Sequence, residues 1–237
     1  SDRNFKDKKC TLLSRTKKTT QMKILELFAG SRSFSKVAEE LGHETFSVDI
    51  KDFKNIDYVT NILEFDVSKV PFKPDVIWAS PPCTYFSVAS IGHHWNKDHT
   101  PKTLEAIVGC QIVRKTLEII NYFQPDFFFI ENPRGKLRKL SFMQKLPRVT
   151  VTYCQYGDTR MKPTDIWTNH LSSNDLFGDN KLQGWLPRPV CNNRKKGNIC
   201  HHEKAPRGSK TGVQGEKNNY ERSKVPYELC KEILLSL

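Results

Sequence analysis

The sequence predicts an α/β fold in which a mostly parallel β-sheet is wrapped by helices, and three observations support this prediction. Short apolar runs alternate with longer stretches whose apolar residues recur at helical spacing. A turn that contains glycine follows the first apolar run, and an acidic residue ends the second. The most apolar run, Asp126 to Ile130, has no polar face and is typical of a central strand that is covered on both sides.

The first strand and the first helix are predicted within residues 23–42. Residues 23–28 form a short apolar run that ends at Ala29-Gly30, which predicts a buried strand meeting a turn. A helix should follow, with Ser33 as its N-cap residue and Gly42 as the residue that ends it. Its apolar residues recur at helical spacing: Phe34, Val37, Ala38 and Leu41.

The alternation of strands and helices continues along the chain. Residues 44–49 and 75–79 predict two further strands, and the second of these runs into the turn Pro81-Pro82. Parallel strands end at the same edge of a sheet, where folds of this class bind their ligands. We therefore expect the residues after these strands to share one crevice.

Two more helices are predicted in the second half of the chain. Thr100-Pro101 fits an N-cap residue followed by a proline in the first turn, and the helix should extend to about Phe123. After Trp167 the regular pattern stops, because residues 169–219 are rich in Asn, Gly, Lys and Pro. A final helix is predicted over residues 227–235.

The net charge of +12 is distributed unevenly along the 237 residues. Residues 24–131 carry ten Lys and Arg against fifteen Asp and Glu, whereas residues 132–162 carry eight against one. Positive charge that is concentrated in particular segments favours a nucleic acid as the partner. The predicted segments are a flexible basic arm over 1–21, a main domain over 22–168, a small basic insertion over 169–219 and a returning C-terminal helix over 220–237.

The composition also excludes several classes of protein. No apolar stretch reaches the roughly 18 to 20 residues that a membrane-spanning helix needs, and the N-terminal residues lack the apolar core of a secretion signal. The seven cysteines are odd in number and scattered, unlike the disulfide framework of a small secreted domain. We therefore expect a soluble intracellular protein, in the cytoplasm or nucleus according to its host, that does not enter a membrane.

The residues at the predicted crevice indicate its chemistry. Gly30 follows the first strand, and Asp49 ends the second, which suits a ligand with ribose hydroxyls. A single glycine cannot form the three-glycine site for a pyrophosphate, so S-adenosylmethionine fits better than a dinucleotide. Cys83 and Glu131 would face the same crevice, where a thiol and a carboxyl suit covalent addition to an electron-poor heterocycle.

Four motifs occur in order along the chain: LELFAG at 25–30, SPPC at 80–83 with Phe86-Ser87, Glu131-Asn132-Pro133, and QYGDTR at 155–160. Together they resemble the motifs of the DNA (cytosine-5) methyltransferases, in particular the compact phage, viral and bacterial members. The resemblance covers about residues 22–168 and implies a Rossmann-like S-adenosylmethionine-dependent methyltransferase fold with a small irregular target-recognition subdomain.

The resemblance implies a reaction on a cytosine that is flipped out of the DNA duplex. Cys83 would attack C6, Glu131 would donate a proton to N3, and Arg160 would hold the base or the adduct. A methyl group would then pass from S-adenosylmethionine to C5. The residues that would shape the base pocket are Ser87, Asn132 and Pro133.

The resemblance also implies a set of cofactor-binding residues. Asp49 would hold the ribose, and Ile50 would contact the adenine. Where the family usually has an aspartate for the adenine amino group, this chain has Asn61-Ile62, whose amide oxygen can still accept that hydrogen bond. The remaining residues around the cofactor would be Phe28, Ala29, Gly30, Ser31, Ser33 and Pro82.

The basic insertion is the predicted DNA-binding and target-recognition region. Its cations can contact phosphates, although a solvated polar insertion is the alternative. The residues predicted to contact DNA are Arg188, Lys195, Lys196, Arg207 and Lys210. Cys191, Cys200 and His201 also suggest a structural zinc site, with ordinary thiols and a surface histidine as the alternative.

The sequence therefore predicts a monomeric enzyme that methylates cytosine in double-stranded DNA. Methylation of cytosine in RNA, such as tRNA, remains an alternative because the same charges and catalytic groups would serve both polymers. A catalytically silent DNA-binding or regulatory homologue is the other alternative. Such homologues usually lose the nucleophile or the acid, and this chain keeps both Cys83 and Glu131.

Overall fold

The computed structural model describes residues 20–88, 90–172, 184–191 and 218–237. The strands are β1 (Lys23–Leu27), β2 (Glu44–Asp49), β3 (Tyr58–Val59), β4 (Val76–Ala79), β5 (Phe127–Pro133), β6 (Arg148–Thr152) and β7 (Pro163–Thr168). The α-helices are α1 (Ser33–Glu40), α2 (Ile91–His94), α3 (Leu104–Phe123), α4 (Ser141–Gln144), α5 (Asn219–Ser223) and α6 (Tyr227–Ser236). Short 3₁₀ helices span Ile62–Glu64, Val67–Lys69, Leu137–Lys139 and Tyr153–Tyr156.

All seven strands belong to one sheet with the order β3-β2-β1-β4-β5-β7-β6. The first five strands in this order are parallel, β7 is antiparallel to β5, and β6 is antiparallel to β7. The predicted α/β fold with a mostly parallel sheet is confirmed. Because β7 is antiparallel, its first residues lie beside the last residues of β5, with Thr164 opposite Pro133.

Helices cover both faces of the sheet. Neighbouring residues of a strand point to opposite faces, so a single strand contributes to the apolar clusters on both sides. On β1, Leu25 and Leu27 belong to one apolar cluster, which also contains residues of α3. Ile24 belongs to the other cluster, where α1 and α6 pack together. Phe34 of α1 stacks on Trp78 of β4 in this second cluster, with ring centroids 4.5 Å apart. The predicted final helix therefore returns to the sheet.

Two predicted helix starts are wrong, for different reasons. Ser33 does not cap α1, because the residue before the helix is Arg32, whose side chain makes no capping hydrogen bond. The long helix begins at Leu104 and is capped by Thr103, whose hydroxyl accepts the N–H of Ala106 at 3.3 Å. Thr100-Pro101 lies earlier, where Pro101 forms an isolated β-bridge with Trp95.

Most of the predicted arm and insertion, including Lys195, Lys196, Arg207 and Lys210, lies outside the described residues. Residues 184–191 are described and return to the domain through Trp185, which is buried. The indole N–H of Trp185 donates to Glu232 of α6 at 3.1 Å. Within the described ranges, no helix has the length and apolar character that crossing a membrane requires.

Candidate active site

A cavity of about 410 Å³ opens at the edge of the sheet where the parallel strands end. Three predicted strand ends contribute to it: the turn after β1, the cysteine loop after β4 and the end of β5. Lys162, directly before β7, and the end of α5 together with Val225 form its remaining wall. The predicted site residues that line it are Phe28, Ala29, Ser31, Ser33, Pro82, Cys83, Ser87, Glu131 and Pro133.

The cysteine loop is fixed by backbone hydrogen bonds. The carbonyl of Cys83 accepts the N–H groups of Phe86 and Ser87, each at 3.0 Å, which closes a tight turn directly after Cys83. Asn132 is buried, and its side-chain amide donates to the carbonyl of Pro81 at 2.8 Å. This bond ties the loop to β5, so the thiol and the carboxyl of Glu131 are held on the same side of the cavity.

Opposing charges act on the thiol of Cys83. Burial raises its pKa, because a thiolate loses hydration inside the cavity, and the negative charge of Glu131 raises it as well. The positive charges of Lys162 and Arg222 act in the opposite direction. The two cations therefore favour the thiolate, which is the nucleophilic form.

Glu131 lines the same cavity as Cys83 and is 4% exposed. The phenol of Tyr153 donates a hydrogen bond to its Oε1 atom at 2.7 Å, and Nζ of Lys162 lies 3.9 Å from the same oxygen. Lys162 also donates to the carbonyl of Arg222 at 3.0 Å. The carboxyl is thus held by one neutral donor and one cation at the base of the cavity.

The turn after β1 forms the opposite end of the cavity. Gly30 has a φ of +49°, which glycine adopts without steric cost, and its N–H donates to Oδ2 of Asp49 at 2.9 Å. This bond holds Asp49, the residue predicted to bind the ribose, beside the turn. Glu26 is buried, lines the cavity, and accepts the N–H groups of Phe34 and Ser35 at 3.2 and 2.8 Å. Burial raises the pKa of Glu26, and these hydrogen bonds oppose the rise.

The residues predicted for the adenine do not line this cavity. Ile50 is 65% exposed. The side-chain oxygen of Asn61 accepts the N–H of Leu63 at 3.1 Å and thereby caps a short 3₁₀ helix, whereas Ile62 is buried. The amide oxygen of Asn61 therefore already has one donor.

Two predicted basic residues lie outside the lining of the cavity. Arg160 makes two side-chain hydrogen bonds to Asp158, at 2.9 and 2.6 Å, and also donates to the carbonyl of Glu221 at 3.3 Å. Arg188 pairs with Glu232 at 2.7 Å, donates to the carbonyl of Gln155 at 2.8 Å and stacks on an aromatic ring. In this arrangement Arg160 braces the C-terminal wall, and Arg188 anchors the segment 184–191 to α6.

The predicted zinc site receives no support. Cys191 is buried, and its N–H donates to Oγ1 of Thr152 at 2.8 Å. Among the described residues, no group of three or more His, Cys, Asp or Glu side chains is placed to hold a metal ion. Cys200 and His201 lie outside the described ranges.

The geometry agrees with the comparisons with known proteins. The family model for C-5 cytosine-specific DNA methylases matches residues 22–145, which include both Cys83 and Glu131. The chain belongs to this family. A probable DNA (cytosine-5)-methyltransferase of Frog virus 3 (isolate Goorha) is 30% identical over 228 residues, covering 90% of this chain and 99% of the viral protein.

Two solved structures are similar to part of the chain. One is a putative DNA modification methyltransferase encoded within a prophage, from E. coli, with 15% identity, a TM-score of 0.49, and coverage of 70% of this chain and 53% of its own. The other is a mutant of Spodoptera frugiperda DNMT2, with 17% identity, a TM-score of 0.41, and coverage of 62% and 49%. This chain thus spans about half the length of each. Its family membership makes it a DNA (cytosine-5) methyltransferase and implies S-adenosylmethionine as the cofactor.

Sequence reasoning missed four residues of this methylase that line or support the cavity: Glu26, Tyr153, Lys162 and Arg222. Glu26 could have been identified as a candidate site residue, because it is an acidic residue within a buried strand. Lys162 and Tyr153 would have required the antiparallel pairing of β6 and β7, which brings Thr152 opposite Pro163. Arg222 reaches the cavity only because the C-terminal segment returns to it.

Proposed function

We infer that this chain transfers a methyl group from S-adenosylmethionine to C5 of a cytosine that is flipped out of double-stranded DNA. One observation carries this inference. The thiol of Cys83 and the carboxyl of Glu131 line a single cavity, and this cavity continues to the turn after β1. A thiol, a carboxyl and a cofactor turn in one space are the groups that methylation at an unreactive ring carbon needs.

The first step is attack by the thiolate of Cys83 on C6 of the cytosine. As the S–C6 bond forms, electrons of the C5–C6 double bond move into the ring, and Glu131 donates a proton to N3. This proton neutralises the charge that the attack would otherwise leave on the ring. The result is a neutral adduct whose C5 is nucleophilic, so the inert ring carbon becomes able to accept a methyl group.

The second half of the reaction restores the enzyme. S-adenosylmethionine, when bound, supplies an electrophilic methyl group at C5. The C5 proton then leaves to solvent as the C6–S bond breaks, the N3 proton returns to the carboxylate of Glu131, and Cys83 is released as a thiolate. Lys162 and Arg222 stabilise this thiolate at both the start and the end of the cycle, since their charges favour it.

The residues at the turn after β1 fit the cofactor. Ser31 and Ser33 present hydroxyls to the cavity, and the carboxylate of Glu26 lies within reach of a positively charged ligand. Asp49 is half-buried and keeps lone pairs for ribose hydroxyls, although each of its oxygens already accepts one backbone N–H. Alternating hydroxyl and carboxyl groups suit a ligand that carries an amino acid and a nucleoside.

The DNA must approach the cavity from the edge of the sheet, because the reacting groups lie inside it. A base within a duplex cannot reach them without leaving the stack. Arg134 is exposed directly after Pro133, which lines the cavity, and its charge is available to a phosphate. Neutralising this residue should weaken binding to DNA of any sequence and flatten the salt dependence.

The test is methylation of a random-sequence duplex pool with bisulfite sequencing, run beside methylation of tRNA. We expect methylcytosine in the duplex pool at a defined sequence context. Cys83→Ala should retain cofactor binding, measured by calorimetry, and lose methylation entirely. Methylation of tRNA alone would contradict the choice of substrate, and turnover by Cys83→Ala would contradict the mechanism.

A further inference from the structure

The acid of the proposed reaction rests on a buried tyrosine. Tyr153 is 0% exposed and lies directly after β6, where its N–H donates to the carbonyl of Met161 at 2.9 Å. Its hydroxyl donates to Oε1 of Glu131 at 2.7 Å. Burial raises the pKa of Tyr153 well above its ordinary range, and the charge of Glu131 raises it further. The phenol therefore stays protonated and acts as a permanent hydrogen-bond donor.

The two groups that hold Glu131 act on the same oxygen. Tyr153 and Lys162 both approach Oε1, and the ammonium of Lys162 lies 4.5 Å from the centre of the Tyr153 ring. Among the described residues, no group donates a hydrogen bond to Oε2 of Glu131. One carboxyl oxygen is thus fixed by the protein, and the other is left to meet the base.

We propose that Tyr153 is a positioning residue, which fixes Oε1 of Glu131 so that Oε2 faces N3 of the flipped cytosine. The hydrogen bond has a second consequence. Donation to Oε1 stabilises the carboxylate that remains once the proton has moved to N3. This role rests on the proposed function, because it concerns how the acid of that reaction is held.

A simple packing role for Tyr153 predicts different behaviour, and the chain contains a matched control. Tyr156 is also buried, its hydroxyl also contacts a glutamate, Glu232 at 3.3 Å, and a cation also lies over its ring, Arg188 at 4.7 Å. Neither tyrosine lines the cavity, but Glu131 does, whereas Glu232 belongs to α6 and does not. The substitutions Tyr153→Phe and Tyr156→Phe therefore remove the same atom from similar environments, one inside the catalytic network and one outside it.

The experiment measures single-turnover methylation of the duplex pool by the full chain, with excess enzyme and tritiated S-adenosylmethionine. Tyr153→Phe should lower the rate constant by about tenfold, a part of what an acid contributes to such a reaction, while cofactor affinity is unchanged. Tyr156→Phe should leave the rate constant within about twofold. Melting temperatures of both variants report on the fold.

The pH profile gives the readout that packing alone would not move. Among the described residues, the charged or titratable groups besides Tyr153 that interact with Glu131 are Lys162, Cys83 and Cys230. These groups are unchanged in Tyr153→Phe. In the plot of rate constant against pH, loss of the hydrogen bond should therefore shift to higher pH the midpoint at which the rate falls as the acid loses its proton. A fluorinated tyrosine at position 153 keeps the ring and makes the phenol a stronger donor, so it should shift the midpoint to lower pH. If Tyr153→Phe does not fold, the fluorinated variant tests the positioning role in its place.

The outcomes separate the two proposals. Equal rate constants and pH profiles for Tyr153→Phe and the unmodified chain would overturn the positioning role and leave the proposed function standing. An unmodified chain that methylates no duplex would overturn both proposals, because Glu131 would then have no flipped cytosine to protonate.

Discussion

The cation beside Cys83 provides the most informative perturbation of the site. Lys162→Met removes the positive charge and keeps a similar length of apolar side chain. Lys162 favours the thiolate of Cys83 and lies 3.9 Å from Oε1 of Glu131. We therefore expect the variant to have less thiolate at a given pH and to react more slowly.

The pair of Lys162 and Glu131 sets the scale of this cation's effect. Unit charges 3.9 Å apart, as Nζ of Lys162 and Oε1 of Glu131 are, attract by about 4 kcal/mol at an effective dielectric constant of about 20. Both side chains are largely buried, and the cost of removing them from water offsets part of this attraction. A net loss of about 1.4 to 2.7 kcal/mol corresponds to a reduction in rate of about 10- to 100-fold.

The assay is alkylation of Cys83 by iodoacetamide across a pH series, read by mass spectrometry of the peptide that contains it. Burial already raises the thiol pKa, and loss of Lys162 should raise it further, so the midpoint of alkylation should move to higher pH. Lys224→Met is the control, because Lys224 pairs with Glu221 at 2.8 Å and does not line the cavity. An unchanged midpoint in Lys162→Met would refute the assignment of this cation to the thiol.

Three further predictions concern the surroundings of the site. A Cβ atom at Gly135 would lie 2.1 Å from the carbonyl oxygen of Phe86, so Gly135→Ala should displace the cysteine loop and cost more than about 2 kcal/mol in chemical denaturation. The raised pKa of Glu26 means that the folded state binds more protons than the unfolded state, so stability should fall as the pH rises above its ordinary value of 4.5. Glu26→Gln should remove that slope above pH 4.5, as measured by urea unfolding across a pH series. Arg160→Ala should weaken cofactor binding in calorimetry more than it slows single-turnover methylation, because Arg160 braces the wall at Glu221.

The fold was largely predictable because local patterns and topology agree in the parallel half of the sheet. The run from Glu44 to Asp49 was predicted at its observed bounds, since its ends coincide with changes in polarity. The antiparallel strands β6 and β7 were missed. Their pairing depends on contacts between distant segments, and residues such as Arg148 and Asp165 interrupt the apolar pattern. Asp165 is buried because Arg138 and Arg148 both pair with it.

The site was predictable where function requires a particular chemical group directly after a strand. Cys83 and Glu131 meet in one cavity because their strands are parallel neighbours in the sheet. The residues that tune these two groups were not predictable, since Lys162 reaches the cavity only through the reversed direction of β7. Arg160 was assigned from its motif, yet the nearby carboxylate of Asp158 determines where its side chain lies.

The most direct measurement of the central claim uses duplex DNA that contains 5-fluorocytosine. Fluorine at C5 cannot leave as a proton does, so the methylated adduct should remain attached to the enzyme. We predict a stable product in the presence of S-adenosylmethionine whose mass equals protein, DNA strand and methyl group, with the DNA on the peptide that contains Cys83. Methylation of ordinary duplex DNA without any such adduct, or an adduct on another cysteine, would contradict the account.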